Sequence, residues 1–375
     1  MEVKYLDLPA QFKENKEVRR VIDEILSSGQ FVMGPAVEEF ERNFAGLCGV
    51  RHAVGVSNGT DAIFLALKVL GIGEGDEVIT VPNSFLATVG AIVQTGAFPR
   101  LVDVAEDYNI DPEKIEAAIN ARTRAIVPVH LTGNPARMDE INEIASRRGL
   151  FVVADAAQAV NASINGRKVG SLGDLSAFSL HPLKNLNTCG DGGVITTDSD
   201  DYYRQLLLYR NHGLKNRNEA QFFAYNCRLD SIKAAVANLQ IKTISEVTEK
   251  RNRNAALYDE GLADLESRVK IPPRRAGVRQ SCHTYVIQVD GRDELISHLK
   301  EKGVETKIHY PIPIHLMAAA KNCGYKKGDF PVAEVQANRI ISLPIHQHLS
   351  DEQITYVIRS ICSFYKDRHL NQIYL

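Results

Sequence analysis

The sequence predicts an α/β fold, with a large, mainly parallel mixed sheet under helices and a smaller α+β domain behind it. Two patterns predict it. Through the first two thirds of the chain, short apolar runs alternate with segments whose apolar residues recur at helical spacing. After Pro272-Pro273 that alternation stops, and strand-like and helix-like stretches no longer come in strict turn. Parallel neighbours need a crossover, usually a helix, so a regular βα alternation is the mark of a parallel sheet.

Taken in order, 53–56 reads as strand and 61–70 as helix, 77–81 as strand and 84–94 as helix, 125–129 as strand and 137–148 as helix. The run Leu150-Phe151-Val152-Val153-Ala154 is a buried strand that ends on Asp155, and strands at 175–178 and 194–197 follow. From 229 to about 265 few breakers interrupt the helical spacing, which predicts one or two long helices leading away from the sheet layer. Beyond them 284–289 alternates as a strand, 292–301 reads as a helix, and 351–365 closes with an amphipathic helix. The expected boundary lies near residue 250, dividing a large domain (1–250) from a small one (251–375), with the N-terminal segment a candidate to pack on the latter.

The 375 residues, 44% of them hydrophobic, suffice for two cores. Basic and acidic residues nearly cancel, 44 against 46, which argues against a nucleic-acid binder. No apolar stretch approaches the ~18 residues of a membrane span, and Met1-Glu2-Val3-Lys4 leads into no signal-like apolar segment. The six cysteines lack CxxC spacing, as expected of reduced thiols in a cytoplasm rather than a zinc site or a disulfide frame. No metal site is expected.

The chemistry collects where strands end. Open α/β sheets bind ligands beyond the carboxyl ends of their strands. Asp155 ends one strand, and Lys184 lies in the Pro-broken loop Ser179-Leu180-His181-Pro182-Leu183-Lys184 after another. An amine and a carboxylate delivered there are what pyridoxal phosphate (PLP) requires, a lysine for its aldehyde and an acidic partner for its pyridinium nitrogen. Asp155 beside an apolar run needs a partner in any case, whether that nitrogen, an Arg or a helix N-terminus. Ser57-Asn58-Gly59-Thr60-Asp61 lies between a strand and a helix, so its N–H groups are either an ordinary N-cap or a seat for one phosphate. It matches neither a P-loop nor GxGxxG. Phe85 follows a strand and either stacks on a flat ring or joins the core. Ser179 is a candidate phosphate donor, His181 a candidate proton relay, and the glycines of Cys189-Gly190-Asp191-Gly192-Gly193 let backbone pass close to a ligand.

In this order, Ser-Asn-Gly-Thr-Asp-Ala (57–62), Asp-Ala-Ala-Gln-Ala (155–159), Ser-x-x-x-x-Lys-Asn (179–185), Gly-Asp-Gly-Gly (190–193), Arg-Asn-His-Gly (210–213) and Asn-x-Arg-Leu-Asp (226–230) resemble the DegT/DnrJ/EryC1/StrS sugar aminotransferases. The flanks agree, with Glu39-Phe40-Glu41 near the start and Tyr310-Pro311-x-Pro313-x-His315-Leu316 near the end. The resemblance covers nearly the whole chain.

It implies a fold-type-I PLP-dependent transferase, aspartate aminotransferase-like, working as a homodimer whose subunits complete each other's sites. Lys184 would bond the cofactor's aldehyde and shuttle protons, Asp155 would pair with the pyridinium nitrogen, Gln158 with the phenolic oxygen, and Phe85 would lie on the ring face. Gly59, Thr60 and Ser179 would hold the phosphate, with Asn226 reaching it from the neighbouring subunit. Arg228, His309, Tyr310 and His315 are the candidate substrate contacts. The implied reaction moves an amino group from an amino acid, usually glutamate, to a keto sugar linked to a nucleotide. Related sugar 3-dehydratases replace the lysine with His, and this chain keeps Lys184.

Gly190-Asp191-Gly192-Gly193 resembles members that aminate C3, whereas many C4 enzymes carry Glu-Gly-Gly there. The expected substrate is therefore a 3-keto sugar, UDP-linked N-acetylhexosamine or dTDP-linked deoxysugar, used in lipid A, surface polysaccharide or glycoside biosynthesis. His130-Leu131-Thr132-Gly133 departs from many relatives in carrying Thr for Tyr, which bears on sugar specificity. The alternatives are a C4 or amino-cyclitol aminotransferase and a non-catalytic PLP- or sugar-binding regulatory protein.

Overall fold

The computed structural model describes residues 1–12 and 15–373. Its centre is a seven-stranded sheet of β1 (His52–Val56), β2 (Glu77–Thr80), β3 (Phe98–Leu101), β4 (Thr123–Ile126), β5 (Phe151–Asp155), β6 (Leu175–Ser179) and β7 (Gly193–Thr197). In space they run β1-β7-β6-β5-β4-β2-β3. The five strands from β6 to β3 are parallel, while β7 is antiparallel to both β6 and β1. No helix lies between β6 and β7, only the loop 180–192, so the chain turns straight back. The predicted sheet, mainly parallel and mixed, is the one observed.

Local departures have local causes. The strand expected at 125–129 lies at Thr123–Ile126, because Pro128 has no N–H for the ladder. The helix expected from 84 begins at Leu86, with Phe85 extended as its N-cap (φ −64°, ψ 146°). The segment from 229 to 265 forms a single helix, Ser231–Gly261, since neither Pro nor Gly occurs before its last residue. The closing helix continues past the expected end to Ile373.

The long helix packs on the helices Lys16–Ser28 and Pro35–Cys48. Its first half gives Ala234, Ala237 and Ile244 to the core beside the sheet, and its second half gives Ala255 and Tyr258 to a separate core. Residue 250 thus lies inside one continuous helix. The second core fills the antiparallel sheet of β8 (Val269–Lys270), β9 (Tyr285–Val289) and β10 (Ile340–Leu343) with the helices Arg292–Glu301 and Asp351–Ile373. The chain start joins it: Val3 N donates to Gly303 O (2.9 Å) and Val3 O accepts from Glu305 N (2.9 Å).

A buried ion pair fixes β1 to its surroundings. Glu41 Oε1 pairs with Arg210 Nη1 and accepts from Gly55 N (2.8 Å), while Arg210 Nη1 also donates to Gly55 O (2.9 Å). Breaking such a pair strands a buried charge. Glu41→Ala is expected to destabilise the fold by about 3–5 kcal/mol, read as a lowered urea midpoint with unchanged slope; a loss under about 1 kcal/mol would contradict this.

Candidate active site

Because β7 reverses direction twice, β1 points the same way as β6, and the carboxyl ends of β1, β2, β5 and β6 open on one side of the sheet. A cavity of about 360 Å³ lies there, lined by Gly59 and Thr60 after β1, Phe85 after β2, Asp155 and Gln158 from β5 onward, Ser179 at the end of β6, Lys184, and His309 and Tyr310 from the C-terminal part.

Asp155 is buried, with Oδ2 accepting from Thr88 Oγ1 (2.7 Å) and Oδ1 from Ala157 N (3.1 Å). Burial pushes its carboxyl above the usual range, against those two hydrogen bonds and the Lys184 charge. Across the cavity, burial pulls the Lys184 ammonium down to about 8, with Asp155 opposing. The loop holding the amine is pinned: Lys184 N donates to His181 O (2.8 Å), Asn187 Nδ2 to Lys184 O (2.8 Å), and Leu180 N to Gly192 O (2.8 Å).

The phosphate-sized corner depends on glycine. A Cβ on Gly59 would stand 2.7 Å from Ser179 Cβ, and one on Gly193 would stand 2.2 Å from Asn58 O. That closeness brings the N-terminus of the helix Gly59–Val69, capped by Asn58 accepting from Asp61 N (2.8 Å), against the end of β6. Free N–H groups and the helix dipole there favour an anion, with Thr60 and Ser179 hydroxyls alongside.

Gln158 has one half committed. Its Oε1 accepts from Thr132 N (2.7 Å), leaving Nε2 at the cavity, 3.5 Å from Tyr310 Oη. Thr132 therefore acts through its left-handed backbone (φ 63°), and its side chain is not part of the cavity wall. Phe85 is 58% exposed, so it is not core; its ring centre is 5.7 Å from that of Tyr310. His309 donates to or accepts from Ser342 Oγ (2.9 Å), and burial, then the charges of Lys184 and Lys307, hold its ring neutral down to about 4.

Three candidates lie elsewhere in the chain. Asn226 is exposed on a segment bridged to Asn211. Arg228 Nη1 donates to Asn211 Oδ1 (3.1 Å) beside the end of β1. His315 is buried, its Nε2 2.9 Å from Glu334 Oε1 and its ring edge against Phe330. Asp191 of the glycine-rich segment also reaches the cavity, as do Thr88 and His283, which the residue pattern does not mark as site residues. Thr88 had a readable signal, a hydroxyl in the first turn of a helix entering from a strand end; His283 had none.

A carboxylate and a lysine of lowered basicity, beside a helix N-terminus and an exposed aromatic face, define a site for a flat, phosphorylated aldehyde. Among curated proteins, the chain is 40% identical to the pleiotropic regulatory protein of Geobacillus stearothermophilus (98% of this chain, 99% of that one). It is 40% identical to the dTDP-3-amino-3,4,6-trideoxy-α-D-glucose transaminase of Streptomyces venezuelae (96% and 95%). Among solved structures, it superposes on S. venezuelae DesV in complex with a ketimine intermediate at TM-score 0.94, with 40% identity over 97% of this chain and 98% of that one. The pattern of the DegT/DnrJ/EryC1/StrS aminotransferase family matches residues 13–362, and the chain belongs to that family. It is a transaminase, and its architecture is the aspartate aminotransferase-like one expected.

The lowered basicity of Lys184 has a direct readout. Labelling of the cofactor-free protein by an amine-directed acylating reagent should climb through pH 8 at Lys184 and then level, whereas an ordinary lysine climbs until about pH 10.4. A midpoint at the ordinary value would show that the cavity does not desolvate the amine.

Proposed function

We propose that this chain transfers an amino group from an amino acid, glutamate in the simplest reading, to C3 of a keto sugar carried on a nucleotide. PLP is the cofactor, and when bound it supplies an electron sink for charge released at the substrate carbon. The observation that carries the reading is one cavity holding a neutralisable lysine, a buried carboxylate and a helix N-terminus at strand ends.

Each residue then has a task. The Lys184 amine would hold the cofactor through its aldehyde, and it is the base and acid placed to move a proton at the substrate carbon. Lys184 is suited to both because burial lets it work as a free base near neutral pH. Asp155, costly to ionise alone, gains a cationic partner in the pyridinium nitrogen, with Thr88 and the Ala157 N–H fixing its oxygens. Gln158 Nε2, its orientation set by the Thr132 N–H, would donate to the phenolic oxygen. Phe85 would lie on the ring face. Gly59, Thr60 and Ser179 receive the phosphate. His309 and Tyr310 close the cavity on the substrate side.

Asn226 and Arg228 lie outside their own chain's cavity, and in this reading they serve the site of a second subunit, Asn226 at its phosphate and Arg228 at its substrate. Exposed aromatics beside them, Phe222, Phe223 and Tyr225, favour such a homodimer. The burial of His315 favours a positioning task at Glu334 over contact with sugar. A cytoplasmic setting agrees with cysteines that are all free, and no helix among the described residues is long and apolar enough to cross a membrane.

The Gly190-Asp191-Gly192-Gly193 pattern and the 3-amino product named for the Streptomyces relative favour C3 over C4. The Geobacillus relative's name favours a second reading, a regulator that keeps the cofactor without turnover. Parallel assays with 3-keto and 4-keto nucleotide sugars and glutamate decide among these; amination of the 4-keto sugar alone, or of neither, rejects the C3 reading. Lys184→Ala should abolish turnover and borohydride-stable attachment of PLP, while Asp155→Asn should slow turnover and leave that attachment intact. Near wild-type turnover in Lys184→Ala would end the assignment.

A further inference from the structure

A second cavity, of about 280 Å³, adjoins the first and shares Leu183, His283 and His309 with it. Its wall includes Arg251 from the middle of the long helix, Lys307, Glu305 and His346. Arg251 is 2% exposed, yet its hydrogen bonds run only to neutral oxygens: Nε to Gln347 Oε1 (3.2 Å), Nη1 to Cys282 O and His283 O (both 3.2 Å). No carboxylate among the described residues pairs with it, and Nη2 has no partner there. A buried guanidinium without a counter-ion is unfavourable unless a ligand completes it.

The one acid among the described lining residues, Glu305, is exposed and accepts from Tyr5 N (2.9 Å) rather than from Arg251. His346 is buried with Nδ1 unpartnered among the described residues. Its ring, held neutral down to about 4 by burial and then by Arg251, leaves the guanidinium as the fixed charge inside. Burial lowers Arg251 itself to about 10, which keeps it cationic. His283 stands at the wall common to both cavities and feels Lys184 and Arg251 together. Lys307 lies at the exposed side without an ion pair among the described residues, and Leu6, Leu183 and Ile345 supply an apolar wall.

We propose that this cavity receives a carboxylate of the amino-acid donor, with Arg251 as its anchoring cation and Lys307 as a second. The assignment rests on the transaminase reading, in which an amino acid must present its amine at Lys184 while its carboxylate finds a cation nearby. The other source of anionic groups is the diphosphate of the nucleotide sugar. A planar carboxylate fits the free edge of one guanidinium, and Glu305 in the wall opposes the concentrated double charge of a diphosphate more than a single carboxylate group whose fellow lies several bonds away.

Glutarate, which has the carboxylates but no amine to react, is the probe. Equilibrium dialysis against the PLP-loaded protein should show saturable binding, weakened at least tenfold in Arg251→Gln and about threefold in Lys307→Met. Donor KM should rise in parallel, with a far smaller change in keto-sugar KM. Unchanged glutarate binding in both variants overturns the proposal. So does binding of pyrophosphate, but not glutarate, that is lost in the same variants. If Arg251→Gln fails to fold, the exposed Lys307→Met carries the decision. Glutarate bound through Arg251 in a protein without turnover would leave this site standing and remove the proposed function instead.

Discussion

Asp155 and Lys184 line one cavity, and burial there works against the charge of each. Burial drives the acid toward its protonated form and the base toward its free amine, while each moderates the other. In the proposed reading, the guest takes a positive charge next to Asp155 and offers an electrophilic carbon to Lys184. The rest of the large sheet serves that opposition: β5 carries the acid, β6 and its pinned loop carry the amine, and the strand order sets the two side by side.

Much of this arrangement was legible in the residues. Strands that are buried on both faces announce themselves as apolar runs, so the sequence alone puts Asp155, at the end of one, and Lys184, after another, on the same edge. The reversed direction of β7 was not legible, because an apolar run looks alike in either orientation; the missing helix before it was the only hint. Helical spacing marks period but not continuity, so the residues alone predict one or two helices where 231–261 is a single one. Boundaries moved where Pro128 and Phe85 imposed their own backbone geometry.

Within the site, motif residues with unusual chemistry were found, and their supports were not. Thr88 and the Thr132 backbone fix Asp155 and Gln158, but a hydroxyl on a helix and a left-handed residue in a loop resemble many others in sequence. Asn226, Arg228 and His315 show the converse. Order along the chain marked them, yet a single chain puts them away from its own cavity, because motif spacing carries no information about which side of a fold, or which copy, a segment serves.

The uninterrupted helix Ser231–Gly261 contributes to both cores. At 31 residues it is about 46 Å of rod, without the Pro, Gly pair or bulge at which helices kink. A clam-like rotation of the two halves about residue 250 would have to rupture main-chain hydrogen bonds mid-rod. Motion that admits a bulky guest is accordingly channelled into the borders of the cavity, the segments around Phe85, Leu183 and Tyr310, whereas the distance from Arg251 to the sheet stays a constant of the architecture.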